Sequence, residues 1–313
     1  MDHLMSKRNW IFVLSAMVIV PGVFSLLIFH LKLSVDFTGG ALLQYSVSQN
    51  VQAAQVQQAF SQAGIQDVQV QMSPTTGGGQ TAIIRTPPLD VIKLTSIEQA
   101  MRQKLGKVTR QSSDTVGPII GSQTSRAAFV AVAAASGFIL LYIWWAFRRL
   151  DNAWRYGVCA IIALLHDVLV VVGLWSILGK VFGLEVDTLF VTGVLTVVGF
   201  SVHDTVVVFD RIRENLVKRA ASDFETTVNN SLVQTLVRSL NTSLTVLFTV
   251  LALTLFGGVT IRDFTLVLLI GIASGTYSSI FNASALLVVW ENGDLARLVG
   301  HGKPTGRRLA AAR

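Results

Sequence analysis

Long apolar runs separated by short polar breaks dominate this chain. Trp10–Leu31, Ala127–Phe147, Tyr156–Leu178, Thr188–Phe209, Leu240–Phe256 and Phe264–Trp290 are each long enough to cross a bilayer as a helix, which takes about 17–25 residues. The pattern therefore predicts an all-α membrane bundle of six spans. Between the first two runs the rhythm changes. Ala41–Val47 reads as a strand, Val51–Ala63 as a Gln- and Ala-rich helix ended by Gly64, and Val68–Met72 and Thr81–Arg85 as strands flanking a Gly77-Gly78-Gly79 turn. Leu94–Leu105 reads as a second helix, stopped by Gly106, and Val108–Ser112 as a last strand. The order β-α-β-β-α-β is that of a small ferredoxin-like α+β unit. The expected organisation is a cytoplasmic N-terminus and first span at 1–33, the α+β domain at 34–118, five further spans at 119–292 and a basic tail at 293–313.

Composition agrees. Hydrophobic residues make up 51% of the chain and charged residues 14%, where a soluble domain carries about 25% charge. The net charge of +7 does not point to nucleic acid, because the basic residues flank the apolar runs instead of forming one patch. Lys7 and Arg8 precede the first run, Arg148, Arg149 and Arg155 join the second and third, and Arg211, Arg213, Lys218 and Arg219 follow the fourth. Arg297, Lys303, Arg307, Arg308 and Arg313 fill the tail, whereas the opposite short loops hold only Lys180 and Arg262 as basic residues. The positive-inside rule then places both termini in the cytoplasm and the α+β insert outside. The first run is long for a signal peptide and lacks an A-x-A cleavage site, so it reads as a retained anchor. The single cysteine, Cys159, lies within an apolar run and reads as a buried, inert thiol. The glycine triplet has neither the lysine nor the following helix of a phosphate loop.

Ionisable side chains inside spans are expensive, and each needs a reason. The third run carries His166 and Asp167 near its middle; the fourth carries His203 and Asp204, with Asp210 and Arg211 as interfacial anchors at its exit; the fifth opens on Arg238-Ser239-Leu240-Asn241-Thr242-Ser243. Arg238, Thr242, Thr245 and Thr249 share one helix face, and Thr192, Thr196, Gly199 and His203 make a similar stripe on the fourth span. At 1.5 Å per residue, Asp204 lies roughly 25 Å and Arg238 roughly 28 Å from the outer surface. Equal depth on antiparallel spans makes them candidates for an ion pair, and a carboxylate that exchanges partners as helices move is a proton-coupling device. A structural ion pair, or a snorkelling Arg238, is the plainer alternative. His166-Asp167 reads equally as a relay or as a histidine hydrogen-bonded in the bundle. Gly271, Ser274, Gly275 and Ser278 read as a close-packing stripe. No H-E-x-x-H, G-x-G-D or serine–histidine arrangement marks an intramembrane enzyme.

Three segments resemble a known family. Val35-Asp36-Phe37-Thr38-Gly39-Gly40 after the first span, GFSVHDTVVVFDRIREN at Gly199–Asn215 and RSLNTSLT at Arg238–Thr245 are similar to motifs of the SecF family of bacterial protein-export membrane subunits. The resemblance covers about residues 8–292. It implies half of a transporter of the resistance-nodulation-division type, working with SecD beside the SecYEG channel and YajC. Such a pair uses the proton-motive force at the inner membrane to draw preproteins across after the ATP-driven stage, with the proton as coupling ion and no cofactor, metal or catalysis. Carried over by motif, Asp204 and Arg238 match the family's proton-pathway residues, and Asp36, Gly39, Gly40, Asp210, Arg211, Arg213, Asn241 and Thr242 match its signatures. His203 departs from the pattern, which commonly has Asn there. Alternatives are a stand-alone small-molecule/proton antiporter of the same superfamily, or a structural scaffold.

Overall fold

A computed structural model describes residues 4–48, 50–75, 79–148, 152–221 and 223–293. Gly77 and Gly78, Arg149 and the basic tail lie outside the described residues. The chain divides into two compact units, one drawn from Met1–Lys32, Ala131–Leu184 and Leu189–Arg313, the other from Leu33–Val130 and Glu185–Thr188.

The second unit has the expected order. A short helix α2 (Val35–Thr38) leads into β1 (Gly40–Val47), α3 (Ala53–Gln62), β2 (Gln69–Thr75), β3 (Gly79–Thr86), α4 (Val91–Leu105) and β4 (Thr109–Val116). The sheet is antiparallel with strand order β2-β3-β1-β4, the ferredoxin-like arrangement. Alternation explains which face is covered: Ala41, Leu43, Tyr45 and Val47 of β1 and Ala82 and Ile84 of β3 are buried against Val56, Ala59 and Phe60 of α3 and Ile97 and Met101 of α4. β4, reading TRQSSDTV, is polar and largely exposed, as an edge strand tolerates. Within this core the Tyr45 hydroxyl donates to Glu98 Oε1 at 3.0 Å. Burial and the Glu98 carboxylate both push that phenol above its ordinary value.

The first unit is the bundle. Its helices are α1 (Arg8–Phe29), α5 (Pro118–Phe147, entering the unit at Ala131), α6 (Ala153–Phe182), α7 (Thr188–Val217), α8 (Phe224–Phe256), α9 (Val259–Tyr277) and α10 (Ala283–Glu291). Residues Ser278–Asn282 form a π-helical turn that joins α9 and α10 into one span, Ile261–Glu291. Among the described residues, six helices are therefore long and apolar enough to cross a membrane. α8 starts sixteen residues before the apolar run, because Asp223 caps it by accepting from Thr226 N at 2.8 Å. α1 lies against α6 through a backbone-to-backbone contact. A Cβ on Gly22 would come within 3.1 Å of Gly173 Cα, so the pair is small by necessity. One turn on, the Ser25 and Ser176 hydroxyls lie 3.0 Å apart. Cys159 is fully buried, as expected.

Candidate functional site

Asp167 is a heavily ligated ionisable group of the bundle. It sits near the middle of α6 and is 1% exposed. Its Oδ2 accepts from Ser201 Oγ of α7 and from Ser278 Oγ of the π turn, both at 2.6 Å. Its Oδ1 accepts from Ser274 Oγ of α9 at 2.8 Å, and His166 Nδ1 lies 3.1 Å from the same oxygen. Four polar contacts from three spans thus fill both oxygens. The π turn carries one extra residue per turn, which redirects its side chains. Ser279 donates to the Ser201 carbonyl at 2.8 Å, and Asn282 bonds Ser15 of α1 at 2.8 Å. The outer nitrogen of His166, Nε2, is buried with no hydrogen-bond partner among the described residues.

Asp204 is built differently. It is 3% exposed on α7, three residues past Ser201, and accepts from Ser243 Oγ of α8 at 3.2 Å. The expected pairing with Arg238 is not formed. Arg238 is exposed, and the ion pairs among the described residues do not include it. Depth was matched but direction was not. Arg238 precedes Ser243 by five residues, which turns it about 140° around α8 from the hydroxyl that meets Asp204.

The shared face read from the sequence is present and open. Arg238, Asn241, Thr242, Thr245 and Thr249 of α8 are exposed, as are Thr192, Thr196, Gly199 and His203 of α7. The threonine hydroxyls bond back along their own helix, Thr242 to the Arg238 carbonyl at 3.0 Å and Thr249 to that of Thr245 at 2.9 Å.

At the Val217 end of α7, Asp210 pairs with Arg213 at 2.6 Å, and Arg211 bonds Glu214 and Gln234. Asn215 bonds Ser231 and Gln234, tying α7 to the first turns of α8. In the α+β unit, Asp36 accepts from both the N–H (3.0 Å) and the hydroxyl (2.9 Å) of Thr188, the residue that opens α7. A carboxylate there satisfies an orphan donor and suits the positive end of the helix dipole. Gly39 and Gly40 have φ of 75° and 132°, a conformation that side chains resist. A Cβ on Gly40 would also meet the Thr86 carbonyl at 2.8 Å.

Sequence reading missed Ser201 and Ser243, although both stand inside the motifs that were singled out. Their small size and spacing mark Ser274 and Ser278 as packing residues. They do line a close approach, since a Cβ on neighbouring Gly275 would lie 3.3 Å from Ser201 Cβ, but they also donate to Asp167. A serine that donates to a carboxylate on another helix gives no periodic signal.

Comparison with known proteins fits this architecture. A family model described as "Protein export membrane protein SecD/SecF, C-terminal" matches residues 96–293, and "SecD/SecF GG Motif" matches residues 24–51. The "Protein translocase subunit SecF" of Thermobaculum terrenum is 50% identical over 95% of this chain and 96% of its own length. That of Anaerolinea thermophila is 47% identical over 94% and 96%. Among solved structures, SecDF from Thermus thermophilus, described as a translocon-associated membrane protein, superposes with a TM-score of 0.81 at 34% identity. The match covers 93% of this chain and 38% of that one. The chain is a multi-pass membrane protein of the SecD/SecF protein-export family.

Proposed function

We propose that this chain is the SecF-type half of a proton-driven export device. It works beside a SecD-type partner at the SecYEG channel, with YajC, and promotes passage of preproteins across the inner membrane after the ATP-driven stage. The proton is its coupling ion; it uses no other cofactor and performs no covalent chemistry.

The observation that carries this reading is the exposed polar face over Asp204. Lipid offers no hydrogen bonds to Asn241, His203 or the Arg238 guanidinium, so a face of this kind within spans must be covered by protein or line water. A second, similar half supplies such a cover, and the Thermus thermophilus SecDF chain is long enough to hold one. Asp204 lies just beneath that face with one hydroxyl as its partner. Arg238 is exposed, forms no ion pair among the described residues, and is placed to meet groups from the other half. The two arrangements, Asp204 on Ser243 or Asp204 on an incoming cation, differ by a small rotation of α8. Orientation follows from charge: Arg148, Arg155, Arg211, Arg213, Lys218 and Arg219 mark one end of the spans, against Lys180 and Arg262 at the other, which puts both termini in the cytoplasm.

The test is preprotein completion into inverted vesicles holding this chain and its partner, with and without a proton gradient. Asp204→Asn is expected to remove the gradient-dependent stimulation while assembly stays normal. Retained stimulation would leave Asp204 as packing and favour a scaffold role.

A further inference from the structure

Toward the end of the bundle where α5 finishes, a cavity of about 460 Å³ is lined by Tyr142, Trp145, Ala146 and Phe147 of α5, by Arg148 just past its end and by Val206, Val207, Asp210 and Arg213 of α7. Its position is fixed by an aromatic cluster. Phe147, 1% exposed, stacks on Tyr156 of α6 at 5.6 Å, and Phe209 of α7 meets both rings edge-on at 6.2 and 5.5 Å. The last turn of α5 is therefore held against α6 and α7, and every lining residue but Arg148 stands on a helix.

Its lining changes character in one direction. Tyr142, Ala146, Val206 and Val207 form the wall toward the membrane interior. Arg148 stands six residues past Tyr142 and Arg213 six past Val207, roughly 9 Å along the helix axes. Arg148 is held over the Trp145 ring, its guanidinium carbon 4.9 Å from the ring centre. No carboxylate pairs with it among the described residues. Arg213 is held by Asp210 at 2.6 Å, which uses part of its five-donor fork and leaves the rest. Among the described residues, the charged groups lining the cavity are two guanidiniums and one carboxylate, a net positive set. Trp and Tyr at this level are the aromatic belt of the membrane surface.

We infer that this cavity is a site for a single anionic glycerophospholipid, its phosphate on Arg148 and Arg213 and its acyl chains along Tyr142, Val206 and Val207. A soluble anion would use the rim alone and has no need of an apolar wall. A lipid needs both, in the order in which the two helices present them. The site stands apart from Asp204 and does not rest on proton coupling.

The experiment uses the full chain purified from membranes in mild detergent, with native mass spectrometry to count retained phospholipid. The chain is expected to hold one phosphatidylglycerol and to release phosphatidylcholine. Arg148→Gln with Arg213→Gln is expected to lower phosphatidylglycerol occupancy about 30-fold, at roughly five-fold for each basic residue near a membrane surface. Val207→Trp fills the cavity while keeping every charge, and should lower occupancy as far; Arg211→Gln, outside the cavity, should not. Equal retention of phosphatidylcholine, or retention unchanged in both the double variant and Val207→Trp, would overturn the site. Displacement of the lipid by millimolar inorganic phosphate would overturn the lipid assignment in favour of a free anion. Loss of the lipid when the partner protein is bound would overturn it in favour of a protein contact.

Discussion

Asp167 and Asp204 stand on successive spans, α6 and α7, and differ in design, though both are nearly stripped of solvent. Asp167 is closed. Three serine hydroxyls and a histidine nitrogen fill its oxygens, drawn from α6, α7 and the α9–π segment. Asp204 has one serine from α8 and lies under a face of exposed polar residues. A carboxylate whose every lone pair is used holds helices in register; moving any one of those helices breaks several bonds at once. A carboxylate with one partner can change it by a small shift of a single helix. The difference separates a group that fixes the bundle from one that can respond to it, and burial alone does not distinguish them.

The largest expected effect comes from treating the two alike. Asp167→Leu takes the carboxylate acceptor from the Ser201, Ser274 and Ser278 hydroxyls, of which Ser278 keeps a longer bond to the Gly275 carbonyl at 3.3 Å. At about 1 kcal/mol or more for each orphaned group, the loss should reach ~2 kcal/mol or more. Asp204→Leu orphans Ser243 only and should lose about 1 kcal/mol by the same reckoning. Unfolding of the two variants in detergent micelles, followed by circular dichroism against denaturant, measures the gap. Equal losses would mean that Asp167 is no more a structural tie than Asp204.

A middle-sized effect concerns the open face. Thr245→Leu and Thr249→Leu replace hydroxyls that bond only to their own helix. On a lipid-facing surface the double change should be neutral or slightly stabilising, within about 0.5 kcal/mol. Against a polar partner half it should weaken assembly, and co-purification of the partner is expected to fall several-fold. Unchanged co-purification would show that lipid already covers this face, and would break the reading of Asp204 as a site completed by another protein.

Much of this was readable in the sequence because membrane and strand patterns are local. The six spans, the β-α-β-β-α-β order and the polar stripes of α7 and α8 follow from periodicity and length alone. What was lost is non-local or lies where local signals conflict. The first turns of α8 carry Glu225, Asn229, Asn230 and Gln234, so the helix was read to begin only where apolarity did. The π turn at Ser278–Asn282 has no signature beyond small residues, yet it directs Ser278 at Asp167 and Asn282 at Ser15. Arg238 was matched to Asp204 by depth along the helix; the rotation around it, which decides contact, could be read only once Ser243 was seen to face the carboxylate. Asp36 looked like a motif residue without a task, because Thr188 lies 152 residues away.

The smallest expected effect is the finest test of the comparison, since it removes one hydroxyl from each carboxylate. Ser201→Ala leaves Asp167 with Ser274, Ser278 and His166, so its stability loss should stay below about 1 kcal/mol. Export should keep its response to the proton gradient. Ser243→Ala takes from Asp204 the one hydrogen-bond donor found for it among the described residues. Its stability loss should also be about 1 kcal/mol, because Asp204 is then left to draw on water or on the opposing half. Here, however, the gradient-driven part of export should change, measured as the pH dependence of stimulation in inverted vesicles. Two serine deletions of like size would then differ in function and not in stability. If Ser201→Ala alters the pH dependence as much as Ser243→Ala, the closed carboxylate takes part in coupling as fully as the open one. The contrast between fixing and responding would then have to be given up.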